Sequence, residues 1–373
     1  MAFTLRHKIC EVRRRHAVAN AGPGDFATEP AGEIEPEEIL RDPRFSLYCN
    51  DPANGAAHFV ECDDPRLIDD AVFYYSAQAE HATALVSMPL ETFHRLAREI
   101  PEPSNGLIFV HSVGRCGSTL LSKALAAVPG ILSLSEPDDL TQLVTLRVAG
   151  TYSDAELRAL IESGTRWHGK PRLGRPFDRL AIKTRAEALV LGDLLGAAFP
   201  REKHLFLYRD GIAWMRTLFR GFSEDRTMDD MVANRQMEEA WGRMLPLIGA
   251  LRNEEKPMNP VAVRMLAWIT CMEGYLDLRE IGVPVVAARF EDLKANPIPV
   301  LKAIFDFCEF PPVDWPTIET VLARDSQEGT IFGQAERHKK NRVLTEDLVQ
   351  QVRDLVATRP RLRTPEIILP GTI

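Results

Sequence analysis

The pattern of apolar and polar positions becomes regular from Gly106 onward, where short runs of consecutive apolar residues punctuate longer stretches with apolar positions at helical spacing. The runs LIFVHS (Leu107–Ser112), GILSLSEP (Gly130–Pro137), RLAIKT (Arg179–Thr184), HLFLYRD (His204–Asp210) and VPVVAARF (Val283–Phe290) predict five strands. STLLSKALAAV after the first run predicts a helix, as do Ala186–Phe199, Gly211–Phe222, Asp229–Arg252 and Pro260–Ile281. Unbroken apolar strands alternating with helices predict an α/β fold, a central parallel sheet flanked by helices on both faces. In such a sheet, ligands bind beyond the carboxyl ends of the strands. That rule selects the segments after Ser112, around Glu136, after Thr184 and at Arg209.

Upstream the pattern is weaker. Residues 20–45 are rich in Pro, Gly and Glu and read as an exposed, loosely ordered segment. LETFHRLAREI predicts one helix, and PEPSNG (Pro101–Gly106) a boundary, because two prolines and a glycine cannot continue it. Three regions are therefore expected: a partly irregular acidic segment over 1–100, an α/β domain over 101–325, and a basic loop with a helical tail over 326–373. No internal repeat is evident.

Composition narrows the function. The 373 residues are 45% hydrophobic and 26% charged, with net charge -8, which argues against a nucleic-acid coat or a polybasic membrane binder. Residues 1–100 hold 10 Lys/Arg against 17 Asp/Glu, and the remainder 35 against 36, so the acidity belongs to the first hundred. Six scattered cysteines without a C-x-x-C pair read as free thiols in a reducing compartment. No window has the ~18 apolar residues of a membrane span, so a cytoplasmic location is expected. The nine histidines form no metal-ligand spacing, and no metal is expected.

The loop HSVGRCGSTLL carries the first chemistry. Gly114 and Gly117 allow close backbone approach, and the free N–H groups opening a helix form an anion nest. Arg115 adds a fixed charge, and Ser118 and Thr119 add hydroxyls, so a phosphate or sulfate group suits the loop; the plain alternative is a strand-to-helix turn without ligand. It is not a Walker A loop, since G-x-x-x-x-G-K-[ST] is absent. In LFLYRDGIAWMRTLFR, Arg209 ends a strand and Thr217 lies about two helical turns on, so the two can converge on a second phosphate. Otherwise Arg209 pairs with Asp210 or a surface carboxylate.

Three segments, GRCGSTLL, LYRDGIAWMRTL and ARFEDLKANPIPVLKAIFDFCEFPP (Ala288–Pro312), resemble in order the signature regions of the sulfotransferase family. The resemblance covers roughly residues 106–312. It implies a fold like that of the P-loop nucleoside-triphosphate hydrolases and a donor, 3′-phosphoadenosine 5′-phosphosulfate, whose sulfonate passes to a hydroxyl or amine without a metal. It further implies that Gly114, Arg115, Cys116, Gly117, Ser118 and Thr119 hold the 5′-phosphosulfate, that Arg115 stabilises charge on the bridging oxygen, and that Arg209 and Thr217 bind the 3′-phosphate. Many members carry a His after K-T on the third strand, where this chain has Arg185, which cannot act as a base. Members similar to the tyrosylprotein and carbohydrate enzymes use a Glu after the second strand, and Glu136 in SLSEPDDL stands there. Glu136 is the expected general base, with a helix N-terminal carboxylate as the alternative.

Lys183 and Arg185 could reach the sulfonate or an anionic acceptor; alternatively Arg185 only starts a solvated helix face. ERHKKNR (Glu336–Arg342), with Lys339 and Lys340, could fold over the donor or form a solvated face. Cys116 reads as a small-residue filler rather than a reactive thiol, and Trp214, Trp241, Trp268 and Tyr275 as core. Two other classes stay open: a nucleotide-dependent phosphotransferase of the P-loop type, and a nucleotide-binding module without turnover. The acceptor, whether small molecule, carbohydrate or peptide, and the oligomeric state are unread.

Overall fold

The computed structural model describes residues 3–13, 20–172, 174–221, 231–324 and 343–373. Among these residues, ten strands form two five-stranded sheets. The first is antiparallel, built from β1 (Leu5–Val12), β2 (Phe26–Glu33), β3 (Phe45–Asp51), β4 (Ala56–Glu61) and β5 (Ala84–Pro89) in the order β2-β1-β5-β4-β3. The second contains β6 (Leu107–Ser112), β7 (Ile131–Ser135), β8 (Arg179–Lys183), β9 (Lys203–Tyr208) and β10 (Val285–Arg289) in the order β10-β9-β6-β8-β7. It is the parallel, helix-flanked sheet that the apolar runs predict, with β7 paired in parallel to β8 and β9 to β10. Every residue of β6, β7 and β8 is buried, which is why those strands read as unbroken apolar runs.

The chain divides into two compact units. One comprises residues Met1–Ile108, Pro129–Arg185 and Leu194–Pro200; the other Phe109–Val128, Ala186–Asp193 and Arg201–Ile373.

In the first unit, the antiparallel sheet shares a core with the helices Leu90–Ala97 and Asp154–His168. Phe59 of β4 meets the Trp167 ring edge-on at 4.6 Å, Phe93 stacks on Trp167 at 6.0 Å, and Trp167 Nε1 donates to the Phe93 carbonyl at 3.2 Å. Rings this large dominate the apolar area a core removes from water. The buried Lys170 donates to the carbonyls of Ile39 (2.7 Å) and Asp42 (2.5 Å), tying the chain after that helix to the helix Pro36–Arg41. Residues 20–45 are thus not loosely ordered. Their Glu-rich stretch stays exposed, but buried Phe26, Ile39 and Phe45 anchor a strand and a helix within it, and Pro30 is tolerated because β2 is an edge.

In the second unit, the helix Pro260–Glu280 is buried along most of its length, with Met265, Trp268, Ile269, Met272 and Tyr275 among its core positions and Asp277, Arg279 and Glu280 exposed near its end. Asn259 accepts from the Ala262 N–H at 2.9 Å and Pro260 fills the first turn, which fixes where it starts. Trp214, Trp268 and Tyr275 are core as expected, while Trp241 is half-buried. The stretch expected as one helix over 229–252 is broken into Met231–Gly242 and Pro246–Ala250, because Pro246 cannot continue the first. Ala186–Phe199 likewise splits into a 3-10 turn (Ala186–Leu191) and a short helix (Gly192–Ala198). Among the described residues no helix is long and apolar enough to cross a membrane, no His/Cys/Asp/Glu group could hold a metal, and all six cysteines are free thiols.

Candidate active site

The residues singled out from the sequence gather in two clusters, one within each unit.

The loop cluster lies in the second unit, between β6 and the helix Ser118–Ala126. Gly114 (φ 71°), Arg115 (φ 55°) and Gly117 (φ 85°) all adopt left-handed backbone conformations, and Gly117 caps the helix. Left-handed residues at the head of a helix turn backbone N–H groups inward, which makes an anion-binding concavity. Only Arg115 takes that conformation with a side chain, at a steric cost of roughly 1–2 kcal/mol. A Cβ at Gly117 would stand 3.1 Å from the Phe290 ring, so the position demands glycine twice over.

Two contacts brace the loop. Trp214 Nε1 donates to the carbonyls of Val113 (3.1 Å) and Gly114 (2.9 Å), and Cys116 Sγ reaches the Leu207 carbonyl of β9 at 3.2 Å. Cys116 is fully buried, as a filler residue should be, and its thiol serves the loop through the contact with β9. Ser118 and Thr119 are buried at the helix start, and Ser112 Oγ accepts from the Gly114 N–H at 3.2 Å. Sequence reasoning took Trp214 for core alone; its indole donor, aimed at the loop, was not readable from helical spacing.

Arg209 and Thr217 meet directly: Arg209 Nη1 donates to Thr217 Oγ1 at 2.8 Å. Asp210 does not pair with its neighbour. It accepts from the Ala213 N–H at 2.7 Å, as a cap for the helix Gly211–Gly221, and lies 3.9 Å from Arg289. The Arg209 guanidinium stands 4.5 Å over the Phe290 ring, while Glu291 faces both Arg209 (3.6 Å) and Arg289 (3.3 Å). A ring face beneath and a hydroxyl beside the guanidinium fix its plane and leave it a positioned cation suited to phosphate.

The carboxylate cluster lies in the first unit, at the carboxyl ends of β7 and β8. Glu136 has φ 64°, a left-handed conformation unusual for a residue with a side chain, and its N–H donates to the Lys183 carbonyl at 2.7 Å. Its Oε1 accepts from Lys183 Nζ at 2.5 Å, and Nζ also donates to Ser135 Oγ at 3.2 Å. The Lys183 side chain is 2% exposed and that of Glu136 17% exposed, so the ammonium is buried while the carboxylate keeps an open side. Glu136 is not a helix-capping carboxylate: the following helix begins at Asp138, with Pro137 at its cap position and no side-chain cap.

Arg185 does not start a solvated helix face. Its Nη1 donates to the buried Asp138 Oδ1 at 2.9 Å, and its Cζ lies 5.3 Å over the Tyr75 ring. Asp138 Oδ2 in turn accepts from the Ala21 N–H at 2.6 Å. Asp138 and Tyr75 were missed from sequence, the first because an acid at a helix start is commonplace, the second because it lies outside the recognised motifs. Lys339 and Lys340 fall outside the described residues.

No protein-family model and no curated protein matches the sequence. Among solved structures, the chain is similar to the sulfotransferase domain of the curacin biosynthetic pathway, at 19% identity over 72% of this chain and 93% of that one, with a TM-score of 0.37. A sulfotransferase from Mycobacterium tuberculosis H37Rv follows at 12% identity over 70% and 78%, TM-score 0.39. A mouse sulfotransferase complexed with PAP stands at 12% identity over 70% and 86%, TM-score 0.37. These structural neighbours are sulfotransferases. What the residues do is argued below from their own geometry.

Proposed function

We propose that the chain is a sulfotransferase that moves the sulfonate of 3′-phosphoadenosine 5′-phosphosulfate to a hydroxyl acceptor. The observation that carries the reading is the pair of built anion sites in one unit: the left-handed loop with Arg115 at a helix start, and Arg209 fixed by Thr217 and Phe290. A ligand with two separate anionic ends fits such an arrangement. The 5′-phosphosulfate is assigned to the backbone and hydroxyls of Gly114–Thr119, and the 3′-phosphate to Arg209 and Thr217.

In the transfer, the acceptor oxygen attacks sulfur, and the bond from sulfur to the bridging oxygen breaks. The products are a sulfate ester and 3′-phosphoadenosine 5′-phosphate. Charge develops on the bridging oxygen, where Arg115 is the assigned electrostatic stabiliser. The acceptor loses a proton as it attacks, and Glu136 is the assigned base. Lys183 holds its carboxylate in one orientation through the 2.5 Å contact. Fixed cations and hydrogen-bond donors supply what the reaction needs, so no metal is assigned. The six free thiols suit a cytoplasmic enzyme.

The test is calorimetric titration of the full chain with 3′-phosphoadenosine 5′-phosphate and, separately, with ATP and Mg. Micromolar binding of the first with weak binding of the second is expected. Preference for ATP would replace this reading with that of a phosphotransferase. Tight nucleotide binding without turnover of any acceptor would leave only a binding module.

A further inference from the structure

The N-terminal hundred residues have no place in the motif resemblance, yet they reach the carboxylate cluster. Ser135 Oγ donates to the Val72 carbonyl at 2.7 Å, which pins the chain just before the helix Tyr74–His81 against the end of β7. Phe73 is extended at the head of that helix, and side chains 73 and 75 fall on one side while Tyr74 turns inward, buried edge-on against His168 at 5.9 Å. The Phe73 and Tyr75 rings lie 6.2 Å apart and remain half-exposed. Lys183 Nζ stands 5.9 Å from the Phe73 ring and Arg185 Cζ 5.3 Å from that of Tyr75. Burial and the nearby charge of Glu136 both raise the Tyr75 hydroxyl pKa, as expected if that ring borders the carboxylate.

Resting on the sulfotransferase reading, we propose that Phe73 and Tyr75 form the acceptor wall of the site and select an uncharged hydroxyl compound with an apolar body. The local charges cancel in pairs, Lys183 with Glu136 and Arg185 with Asp138, so an anionic acceptor finds no unspent cation in this cluster. What the wall offers is two adjacent ring faces beside one carboxylate. Ligand sites of this make-up, apolar surface with a few placed polar groups, bind by burying an apolar body and orienting one polar group. Here that group is the hydroxyl, turned toward Glu136. Phe73 and Tyr75 are positioning residues, not catalytic ones.

The experiment uses the full chain and three probes: 2-naphthol, 1-decanol and D-glucuronate. Binding of each is followed by saturation-transfer NMR without nucleotide, and turnover is followed with the sulfonate donor. The apolar alcohols are expected to bind and the glucuronate not to. In the double variant Phe73→Ala/Tyr75→Ala, apolar-alcohol binding is expected to weaken at least tenfold and acceptor KM to rise as much, with nucleotide affinity unchanged. The unchanged nucleotide affinity of the double variant, with its denaturation midpoint, separates loss of the wall from a folding defect, and Tyr75→Phe, which keeps the ring, is expected to bind the apolar alcohols more tightly than Tyr75→Ala. Unchanged acceptor binding in the double variant, or a preference for glucuronate, overturns the proposal. Failure of nucleotide binding overturns the sulfotransferase reading instead, while the NMR arm still decides whether the wall binds apolar alcohols.

Discussion

In the loop cluster, the groups assigned to anions lie on two short segments, since the loop occupies a single strand-to-helix turn and Arg209 and Thr217 are eight residues apart, although Trp214, Cys116 and Phe290 brace them from distant segments. In the carboxylate cluster, Lys183 is 47 residues from Glu136, Val72 is 63 residues from Ser135, and Ala21 is 117 residues from Asp138. In the proposed reading, the first binds anions with backbone and fixed cations, a task any strand-turn-helix with the right glycines can perform. The second needs a carboxylate held by a buried ammonium and fenced by rings, and no short segment can supply both. On that reading, the donor-binding groups lie on short segments, and the acceptor cluster is assembled over long range.

The two halves can be separated by mutation. Glu136→Gln is expected to cost about 100-fold or more in kcat while nucleotide affinity stays at the wild-type value. Near-normal turnover in a folded variant would remove Glu136 as base and with it the division of labour. Lys183→Ala leaves a carboxylate without its buried partner, and chemical denaturation should show a loss of about 3 kcal/mol, the low end for a broken buried pair because Glu136 keeps an open side. A loss below about 1 kcal/mol would mean that the pair is an ordinary surface contact.

Beneath the loop cluster, His111 of β6 and His204 of β9 share a 3.0 Å contact in the core. Burial lowers both pKa values, that of His204 from 6.5 to about 4. A depressed histidine is neutral in the folded chain and protonates more readily unfolded. Stability is therefore full above about pH 6.5 and falls as the pH drops toward 4, by roughly 2–3 kcal/mol for His204. His58 and His94 of the other unit are lowered too, so the slope is shared. The double variant His111→Leu/His204→Leu should flatten part of it in denaturation series between pH 7 and 4.5, and an unchanged slope would show that the pair does not titrate there. The smallest effects belong to the distal anion site. Arg209→Ala should weaken nucleotide binding tenfold or somewhat more by calorimetry. Thr217→Val should weaken it a few-fold, with Thr217→Ser close to wild type; loss in Thr217→Ser with none in Thr217→Val would mean that the methyl group, not the hydroxyl, matters.

What could be read from the sequence follows the same divide. The strands β6 to β10 announce themselves because burial on both faces leaves continuous apolar runs, and the loop announces itself because left-handed positions call for glycine. Glu136 could be named, since it follows a recognisable strand, and Lys183 stood among the candidates, but their pairing could not be read. Lys183 carries no mark that tells a buried ammonium from a solvated one. Arg185 read as a possible solvated residue because Asp138, which holds it, lies 47 positions away. Phe73 and Tyr75 escaped notice for a different reason: in FYY, consecutive aromatics have no period, and only the Ser135–Val72 contact decides which rings face the cluster. The strand over 26–33 was obscured by its glutamates and Pro30, residues suited to an exposed edge and equally suited to disorder.

The backbone at Glu136 sits where glycine or asparagine would rest more easily. Replacement by glycine would relieve that backbone by about 1–2 kcal/mol but would leave the Lys183 ammonium buried without its partner, at about 3–5 kcal/mol, so the ion pair holds the residue in a conformation it would otherwise avoid. Glutamate is therefore retained here by the buried ammonium as well as by any chemistry, and a change at this position should travel with a change at Lys183.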